Sequence, residues 1–180
     1  AREAARRIVR DANRASDVIA RTRALFKKRE AQREALDLNQ VIKDVATLVR
    51  EELVRARLAI RTVLSVLAAV YGDRIQLEQV MLNLILNAVE AMRATEGPRQ
   101  LVIRTDRPES NGVLVTVADT GTGLDPKEMD HLFEAYFTTK PNGMGLGLPI
   151  SRTLIEAHGG RLWAEAKAGP GATFHFELPV

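Results

Sequence analysis

A series of amide side chains lies along one segment of the sequence that is otherwise apolar. Between positions 74 and 92 five polar residues recur at steps of three and four, which places them on one stripe of a helix. They are Gln76, Gln79, Asn83, Asn87 and Glu90. A helix that is apolar nearly all round is buried, so its polar stripe needs partners. Water or backbone groups are one source of partners. A hydrophilic ligand or a Mg²⁺ ion, which prefers oxygen donors and phosphates, is the other.

The second group of chemically informative residues is Asp119-Thr120-Gly121-Thr122-Gly123, at the end of an apolar strand. A carboxylate only accepts hydrogen bonds, and it matches the exocyclic amino group of adenine. Such a bond to a charged group contributes about 1.5–3 kcal/mol. Glycines let the backbone approach a flat base closely. Taken alone, the same pattern is also a common turn.

The third group is Gly143-Met144-Gly145-Leu146-Gly147-Leu148, which opens a predicted helix. Free N–H groups at a helix N-terminus attract anions, and glycine permits unusual backbone angles. The spacing differs from the dinucleotide fingerprint, because Ile150 stands where that motif needs another glycine. The Gly-Lys-Ser/Thr of a P-loop is also missing. The segment is therefore a phosphate loop of another kind or a flexible hinge.

The elements that must position these groups begin with a long helix over residues 1 to about 33. Its stripe recurs at alternating steps of four and three, which is typical of a helical hairpin or coiled coil. The stripe consists of Ile8, Ala12, Ala15, Ile19, Thr22 and Phe26. A lone surface helix packed on its own domain is the alternative.

The rest of the chain alternates between helical and extended patterns. We predict helices over residues 38–57, 74–92 and about 146–158, a helix starting at Asp125-Pro126, and strands over 58–65, 100–106, 113–119, 161–167 and 173–178. Asn39 or Asp37 would cap the first of these helices, and Asp73 with Gln76 would form a capping box on the second. Because the last two strands form a hairpin, the pattern predicts an α/β sandwich with a mixed sheet, preceded by the long N-terminal helix.

Composition narrows the classes of function. The 180 residues are 46% hydrophobic and 27% charged, which is ordinary for a globular protein. The net charge is +3, but Arg is concentrated in the first 33 residues, far from most aromatics, so we expect no nucleic-acid partner. The lack of Cys excludes disulfides and fits a cytoplasmic protein. No apolar run approaches the ~18 residues of a membrane span. Since the sequence begins at Ala1, we expect the chain to be a piece of a longer parent protein. The sequence is compatible with a membrane anchor in that parent.

In order and spacing, these segments resemble the N, G1, F and G2 boxes of the histidine kinase catalytic domain. That domain belongs to a superfamily shared with gyrase and mismatch-repair ATPases. The boxes would be residues 83–92, 119–123, 131–140 and 143–147. The resemblance covers about residues 37–180. The Thr-Thr-Lys-Pro-x-Gly-Met-Gly-Leu-Gly-Leu run is similar to that of the nitrogen-regulation and oxygen-sensing group.

The resemblance implies a bound ATP and Mg²⁺, and it implies roles for the matching residues. Asn87 would be the Mg²⁺ ligand, and Asn83 would lie beside it at the phosphates. Lys140 would face the phosphates too, so Asn83 and Lys140 are the expected catalytic residues. The backbone of the G2 box would bind phosphate through Gly143, Gly145, Leu146 and Gly147.

The same resemblance places the adenine base at the G1 box. Asp119 would accept from the adenine amino group, with Thr173 close behind it. Gly121 and Gly123 would shape the base pocket. Residues 120–144 would form a mobile lid over ATP.

The first helix looks like the second helix of a dimerisation hairpin. We therefore assign residues 1–36 to a remnant of that hairpin and residues 37–180 to the ATP-binding catalytic domain. The partners implied are ATP, the dimerisation helices of the parent, a response regulator receiver domain and a second copy in a homodimer.

Two departures from the family pattern stand out. Glu90 and Ala91 stand where many histidine kinases carry a basic residue and an aromatic one. No His is followed by an acidic residue and then Asn or Thr, so the phospho-acceptor is missing, and the chain alone should bind ATP without completing the transfer. We interpret His131, His158 and His175 as structural.

Two rival functions come from other classes. An ATPase of the gyrase or mismatch-repair kind would need a carboxylate at the position of Asn83 to activate water. A degenerate module that folds without nucleotide would not need Asn87, Asp119 or the three glycines of the G2 box. The sequence favours the kinase domain over both.

Overall fold

The computed structural model describes residues 32–180 except 94, 109, 110, 141, 142 and 168. Residues 1–31 of the predicted long helix lie outside the described residues. Arg33, at its predicted end, instead begins strand β1 (Arg33–Leu36). Residues Gln32–Val180 form one compact unit.

Strand β1 pairs antiparallel with β3 (Val70–Asp73) to form a two-stranded sheet. The prediction grouped residues 33–36 with the N-terminal helix, whereas in the structure they join the compact unit that follows. The sequence does not show this strand, because three of its four residues are exposed and only Leu36 is buried. It forms because Leu36 pairs with the buried Val70, far along the chain.

The predicted helix over residues 38–57 is two helices, α1 (Leu38–Leu48) and α2 (Arg50–Arg55). Asp37 caps α1 through its carboxylate, which accepts from the N–H groups of Asn39 and Gln40. The Thr47 hydroxyl donates to the Lys43 carbonyl at 2.8 Å, and such back-bonding bends helices. The break at Val49 lets both short helices turn apolar residues into the same core.

The main sheet has five strands in the order β2-β4-β5-β7-β6. They are β2 (Ala59–Leu64), β4 (Gln100–Asp106), β5 (Gly112–Ala118), β6 (Arg161–Ala166) and β7 (Ala172–Pro179). Strands β2 and β4 are parallel, and the other neighbours are antiparallel. The predicted mixed-sheet α/β fold and the closing hairpin are therefore confirmed.

Helix α3 (Arg74–Arg93) supplies much of the core that covers this sheet. Its buried residues are Leu77, Val80, Met81, Leu84, Ile85, Ala88, Val89 and Met92. On β5 the alternating Val113, Val115 and Val117 are buried, as the period of two predicts. Helix α4 (Gly147–Ala157) packs beside α3 and adds Ile155 to the same cluster. This packing fixes the polar stripe of α3 relative to the start of α4.

Two predicted details at helix starts are wrong. Asp73 does cap α3, because its carboxylate accepts from the N–H of Gln76 at 3.1 Å. The reciprocal half of the predicted capping box is absent, since the Asp73 N–H donates instead to His158 Nε2 at 2.9 Å. The predicted helix at Asp125 is a turn followed by one 3-10 turn, Met129–His131. The Asp125 carboxylate accepts from the Lys127 N–H, but none of the residues 124–140 is buried, so no apolar face stabilises a helix there.

No helix in the described part of the chain is long and apolar enough to cross a membrane.

Candidate functional site

Asp119 lies at the end of β5 and is only 2% exposed. Its Oδ1 accepts from the N–H of Gly121 at 2.7 Å and from the N–H of Ala172 at 3.2 Å. Burial raises the pKa of this carboxyl above its ordinary value, while the two N–H donors and the nearby ammonium groups of Lys167 and Lys140 oppose that rise. Because both donors bind Oδ1, the site offers Oδ2 as an acceptor for a polar ligand.

The glycines after Asp119 hold the backbone close to α3. A Cβ on Gly121 would lie 2.7 Å from the Ala91 Cβ and 3.0 Å from Asp119 Oδ1, so only glycine fits between them. Gly123 has a φ of +84°, which favours glycine as well. Thr120 anchors the same loop, because its hydroxyl donates to the Pro98 carbonyl at 2.7 Å. The wall next to Asp119 is therefore formed by backbone.

Thr173, which the resemblance places close behind Asp119, is buried and lies across from the residue before Asp119. It pairs with Ala118, and His175, two residues further along β7, pairs with Thr116. It is Ala172 whose N–H reaches the Asp119 carboxylate. The expected role of Thr173 in nucleotide binding stays a prediction.

Lys167 is a contact of Asp119 that the sequence did not indicate. Its ammonium group donates to the Asp119 carbonyl at 2.9 Å. The same carbonyl lies 2.1 Å from the position of a Cβ on Gly171, whose φ is +102°. The turn between β6 and β7 thus fits tightly over the end of β5. A lysine in a hairpin after an apolar strand carries no sequence signal for this role.

Asn83 joins α3 to α4. Its Nδ2 donates to the buried Ser151 hydroxyl at 2.9 Å. A Cβ on Gly147, the first residue of α4, would lie 2.3 Å from Asn83 Oδ1. The start of α4 is therefore held directly against the polar stripe of α3. No side chain caps this end of α4 among the described residues, so its N–H groups are available to an anion.

Asn87 and Glu90 meet a cation from the segment that precedes α4. Lys140 Nζ donates to Asn87 Oδ1 at 3.1 Å and to Glu90 Oε2 at 2.7 Å. The structure therefore brings Asn87 and Lys140 together, the two residues that the resemblance places at Mg²⁺ and the phosphates. The contact with Glu90 was not predicted, although Glu90 belongs to the same polar stripe.

Residues 143–147 contain three glycines, and two of them lie close against residues 136–138. A Cβ on Gly143 would lie 2.3 Å from the Thr138 hydroxyl. Gly145, with a φ of +63°, would place a Cβ 2.4 Å from the Tyr136 carbonyl carbon. The Tyr136 N–H donates to the Gly145 carbonyl at 2.9 Å. Gly143, Gly145, Leu146 and Gly147 thus connect residues 136–140 with the start of α4.

The predicted lid, residues 120–144, contains little regular structure in its described part. Phe133 is partly buried against the core, and the guanidinium of Arg152 on α4 lies 5.3 Å from its ring centroid. His131 binds Glu134 at 3.0 Å, and this carboxylate raises the pKa of the imidazole. The contact between Arg152 and Phe133 joins the segment to α4, while the pair of His131 and Glu134 lies within the segment.

The donor set suits Mg²⁺ only when phosphates share the ion. The described residues contain no cluster of three or more His, Cys, Asp or Glu able to hold a metal by themselves. Asn87 Oδ1 already accepts from a positively charged group, and a carboxylate lies next to it. Such oxygen donors fit a Mg²⁺ that keeps waters and phosphate oxygens.

Residues 72–180 match the family described as histidine kinase-, DNA gyrase B- and HSP90-like ATPase, and the chain belongs to that family. Its matched relatives include sensor proteins. The sensor protein FixL of Bradyrhizobium diazoefficiens is 39% identical over 178 residues, covering 97% of this chain and 34% of FixL. The family match and these relatives together support a histidine kinase ATP-binding domain.

Two solved structures share the fold. Full-length ShkA in complex with AMPPNP is 29% identical, with a TM-score of 0.77 over 93% of this chain and 35% of ShkA. Histidine kinase ThkA in complex with the response regulator protein TrrA is 26% identical, with a TM-score of 0.78 over 96% of this chain and 49% of ThkA. The chain spans 19% to 37% of the length of the first curated relatives that it matches. The narrower nitrogen-regulation and oxygen-sensing group stays a prediction.

Proposed function

We propose that this domain binds ATP with Mg²⁺ and donates the γ-phosphoryl group to a His that lies outside this chain, for relay to a response regulator. The buried Asp119 carboxylate carries the proposal, because a charged acceptor next to closely approaching backbone suits the amino group of adenine. The membership in the ATPase family and the AMPPNP bound to the similar ShkA support ATP as the nucleotide.

The ligand would extend from Asp119 along α3 toward the start of α4. Gly121 and Gly123 would lie against the base, while Asn83, Asn87 and Lys140 would lie at the phosphates. The free N–H groups of Gly147 and Leu148 at the start of α4 would receive phosphate oxygens. Thr173, which pairs with the residue before Asp119, would lie behind this carboxylate, whose Oδ1 accepts from the Ala172 N–H.

Asn87 would hold the Mg²⁺ ion, which supplies charge neutralisation on the phosphates. Lys140 would add a second positive charge. Asn83 would orient a phosphate oxygen through its amide, which Ser151 and Gly147 hold in place. This residue set positions ATP and neutralises its charge, as phosphoryl transfer requires.

Asn83 also distinguishes a kinase from an ATPase. An amide has no basic lone pair that takes a proton from water at neutral pH, so this position lacks a general base. The site would therefore retain ATP until an acceptor imidazole arrives. A chain without that acceptor is expected to bind nucleotide and to show no autophosphorylation alone.

For the parent protein we propose a cytoplasmic catalytic domain, a homodimer formed through its dimerisation helices, and a response regulator partner. The complex of the similar ThkA with TrrA supports the response regulator. Residues 1–31 would be the remnant of the dimerisation hairpin, since residues 33–36 belong to the compact unit that follows. A membrane anchor elsewhere in the parent is compatible with this arrangement.

Asp119→Asn tests the proposal by calorimetry with ATP and Mg²⁺. Asn keeps an oxygen for the N–H groups of Gly121 and Ala172, but it turns an NH₂ group toward the adenine amino group. We expect ATP and ADP to bind at least about tenfold more weakly, since a bond to a charged group contributes about 1.5–3 kcal/mol. The unmutated chain should prefer ATP to GTP. Equal affinity for both nucleotides would contradict an adenine site at Asp119.

A further inference from the structure

Lys140 links the lid to α3 through two acceptors at once. Its ammonium group lies 3.1 Å from Asn87 Oδ1 and 2.7 Å from Glu90 Oε2. The acceptors are three residues apart on α3, so they are neighbours on one face of the helix. The Lys140 side chain keeps 34% of its surface exposed and the Glu90 side chain 54%, so ions in solution reach the pair.

The turn around Lys140 directs its side chain toward α3. The Lys140 N–H donates to the Thr138 hydroxyl at 3.1 Å, and the Gly143 N–H donates to the Lys140 carbonyl at 3.1 Å. Of the two acceptors, Glu90 holds the ammonium more strongly, because a hydrogen bond between ionised groups is shorter and stronger than one to a neutral amide. Glu90 therefore fixes the position of the Lys140 ammonium group. Asn87 accepts a hydrogen bond from this group because it lies next to Glu90 on the helix.

An ammonium group and a divalent cation exclude each other at Asn87. Mg²⁺ binds oxygen at about 2.0–2.1 Å, and an ammonium on the same oxygen would place like charges a few ångströms apart. We propose that Glu90 is a positioning residue that holds the Lys140 ammonium on Asn87, so that Lys140 and a divalent cation bind Asn87 in alternation. This inference rests on the nucleotide function proposed above.

Because Lys140 and the divalent cation alternate at Asn87, binding of the cation is coupled to the position of the lid. Lys140 belongs to the lid, so its release from Asn87 frees that segment to rearrange around the phosphates. Only the fraction of molecules with Asn87 released is ready for the cation, and the apparent affinity falls by that fraction. Glu90 sets this fraction through its charge. A neutral side chain of the same shape should shift it toward release.

Hydrogen exchange of the 180-residue chain without nucleotide or metal directly tests whether Glu90 holds the lid on α3 through Lys140. We expect Glu90→Gln to speed amide exchange severalfold in peptides spanning residues 134–140 and 143–146. The matched control is Glu78→Gln, which removes a similar ion pair, Arg74–Glu78, on the same helix. It lies twelve residues away, about 18 Å along α3. Unchanged lid exchange in Glu90→Gln, or equal acceleration in both variants, would overturn the inference.

Calorimetry with ADP and Mg²⁺ gives the second measurement. Glu90→Gln should bind about two- to fivefold more tightly than wild type, the range expected when an exposed competing ion pair is removed. In a Lys140→Gln background the same change should have no further effect, because the pair is already absent. Unchanged or weaker binding by Glu90→Gln would contradict the alternation. If wild type binds no ADP with Mg²⁺, the proposed function fails. Hydrogen exchange of the lid then still tests whether Glu90 holds Lys140 on Asn87.

Discussion

At the scale of single residues, Asp119 combines a burial penalty with a binding role. Because burial raises its pKa, the folded chain holds a proton over a pH range where the unfolded chain has released it. Stability therefore falls as pH rises above 3.8 through the raised pKa of the folded chain. A site carboxylate that lowers stability is a known trade-off between stability and function.

The pH dependence gives a measurable prediction for Asp119→Asn without nucleotide. The variant should unfold at a higher temperature than wild type at pH 7, because it carries no buried charge. The difference in unfolding temperature between variant and wild type should become smaller as pH falls through the raised pKa of Asp119. The wild-type side chain then becomes neutral too. Thermal unfolding at a series of pH values measures this difference. A difference that does not change with pH would show that the charge of Asp119 is not its cause.

Gly147 shows where residue patterns in the sequence stop being informative. The glycine-rich run predicts an anion site, but it does not indicate that Gly147 touches the Asn83 amide. Gly147→Ala should reduce stability by about 1–3 kcal/mol, as overpacking usually does, and should weaken ATP binding by displacing Asn83. Gly97→Ala is the control, because nothing lies within 4 Å of its Cβ position. Urea unfolding and calorimetry compare the two, and equal effects would argue against a role for the Gly147 contact.

At the scale of elements, His158 joins the end of α4 to the start of α3. Its Nε2 accepts from the Asp73 N–H at 2.9 Å, so Nδ1 carries the proton and donates to the Leu154 carbonyl at 2.7 Å. A Cβ on Gly72 would lie 2.8 Å from the same ring. The interpretation of His158 as structural agrees with these contacts. The sequence identified the helix end but not the strand that the ring reaches.

His158→Ala should therefore lower the free energy of unfolding by about 2–4 kcal/mol. It leaves the buried Asp73 N–H without its acceptor, at about 1–3 kcal/mol, and it removes packing around the ring. His131→Ala is the matched control, since His131 is exposed and such changes usually stay within about 0.5 kcal/mol. Urea denaturation of both variants tests this. A loss in His158→Ala no larger than in the control would refute the link between α3 and α4.

At the scale of the whole molecule, the sequence predicted the parts that follow from local periodicity. The alternation in β5 and the nearly all-apolar α3 indicated the sheet, its cover and the place of the polar stripe. The strand β1 and the position of Ala172 beside Asp119 could not be predicted, because both depend on pairing with strands far along the chain. The contact of Lys140 with Glu90 was missed for the same reason, since the two residues are 50 positions apart.

The compact unit Gln32–Val180 contains every residue assigned to the nucleotide site. A chain beginning at Gln32 should therefore fold and bind ATP with an affinity within about twofold of the full chain, since distant regions contribute almost additively.

The stripe of Ile8, Ile19 and Phe26 predicts that self-association depends on residues 1–31. Sedimentation at high concentration should then show association of the full chain and a monomer after truncation. A full chain that stays monomeric would remove the basis for assigning this segment to a dimerisation hairpin. Loss of ATP binding on truncation would mean that the site extends beyond the compact unit.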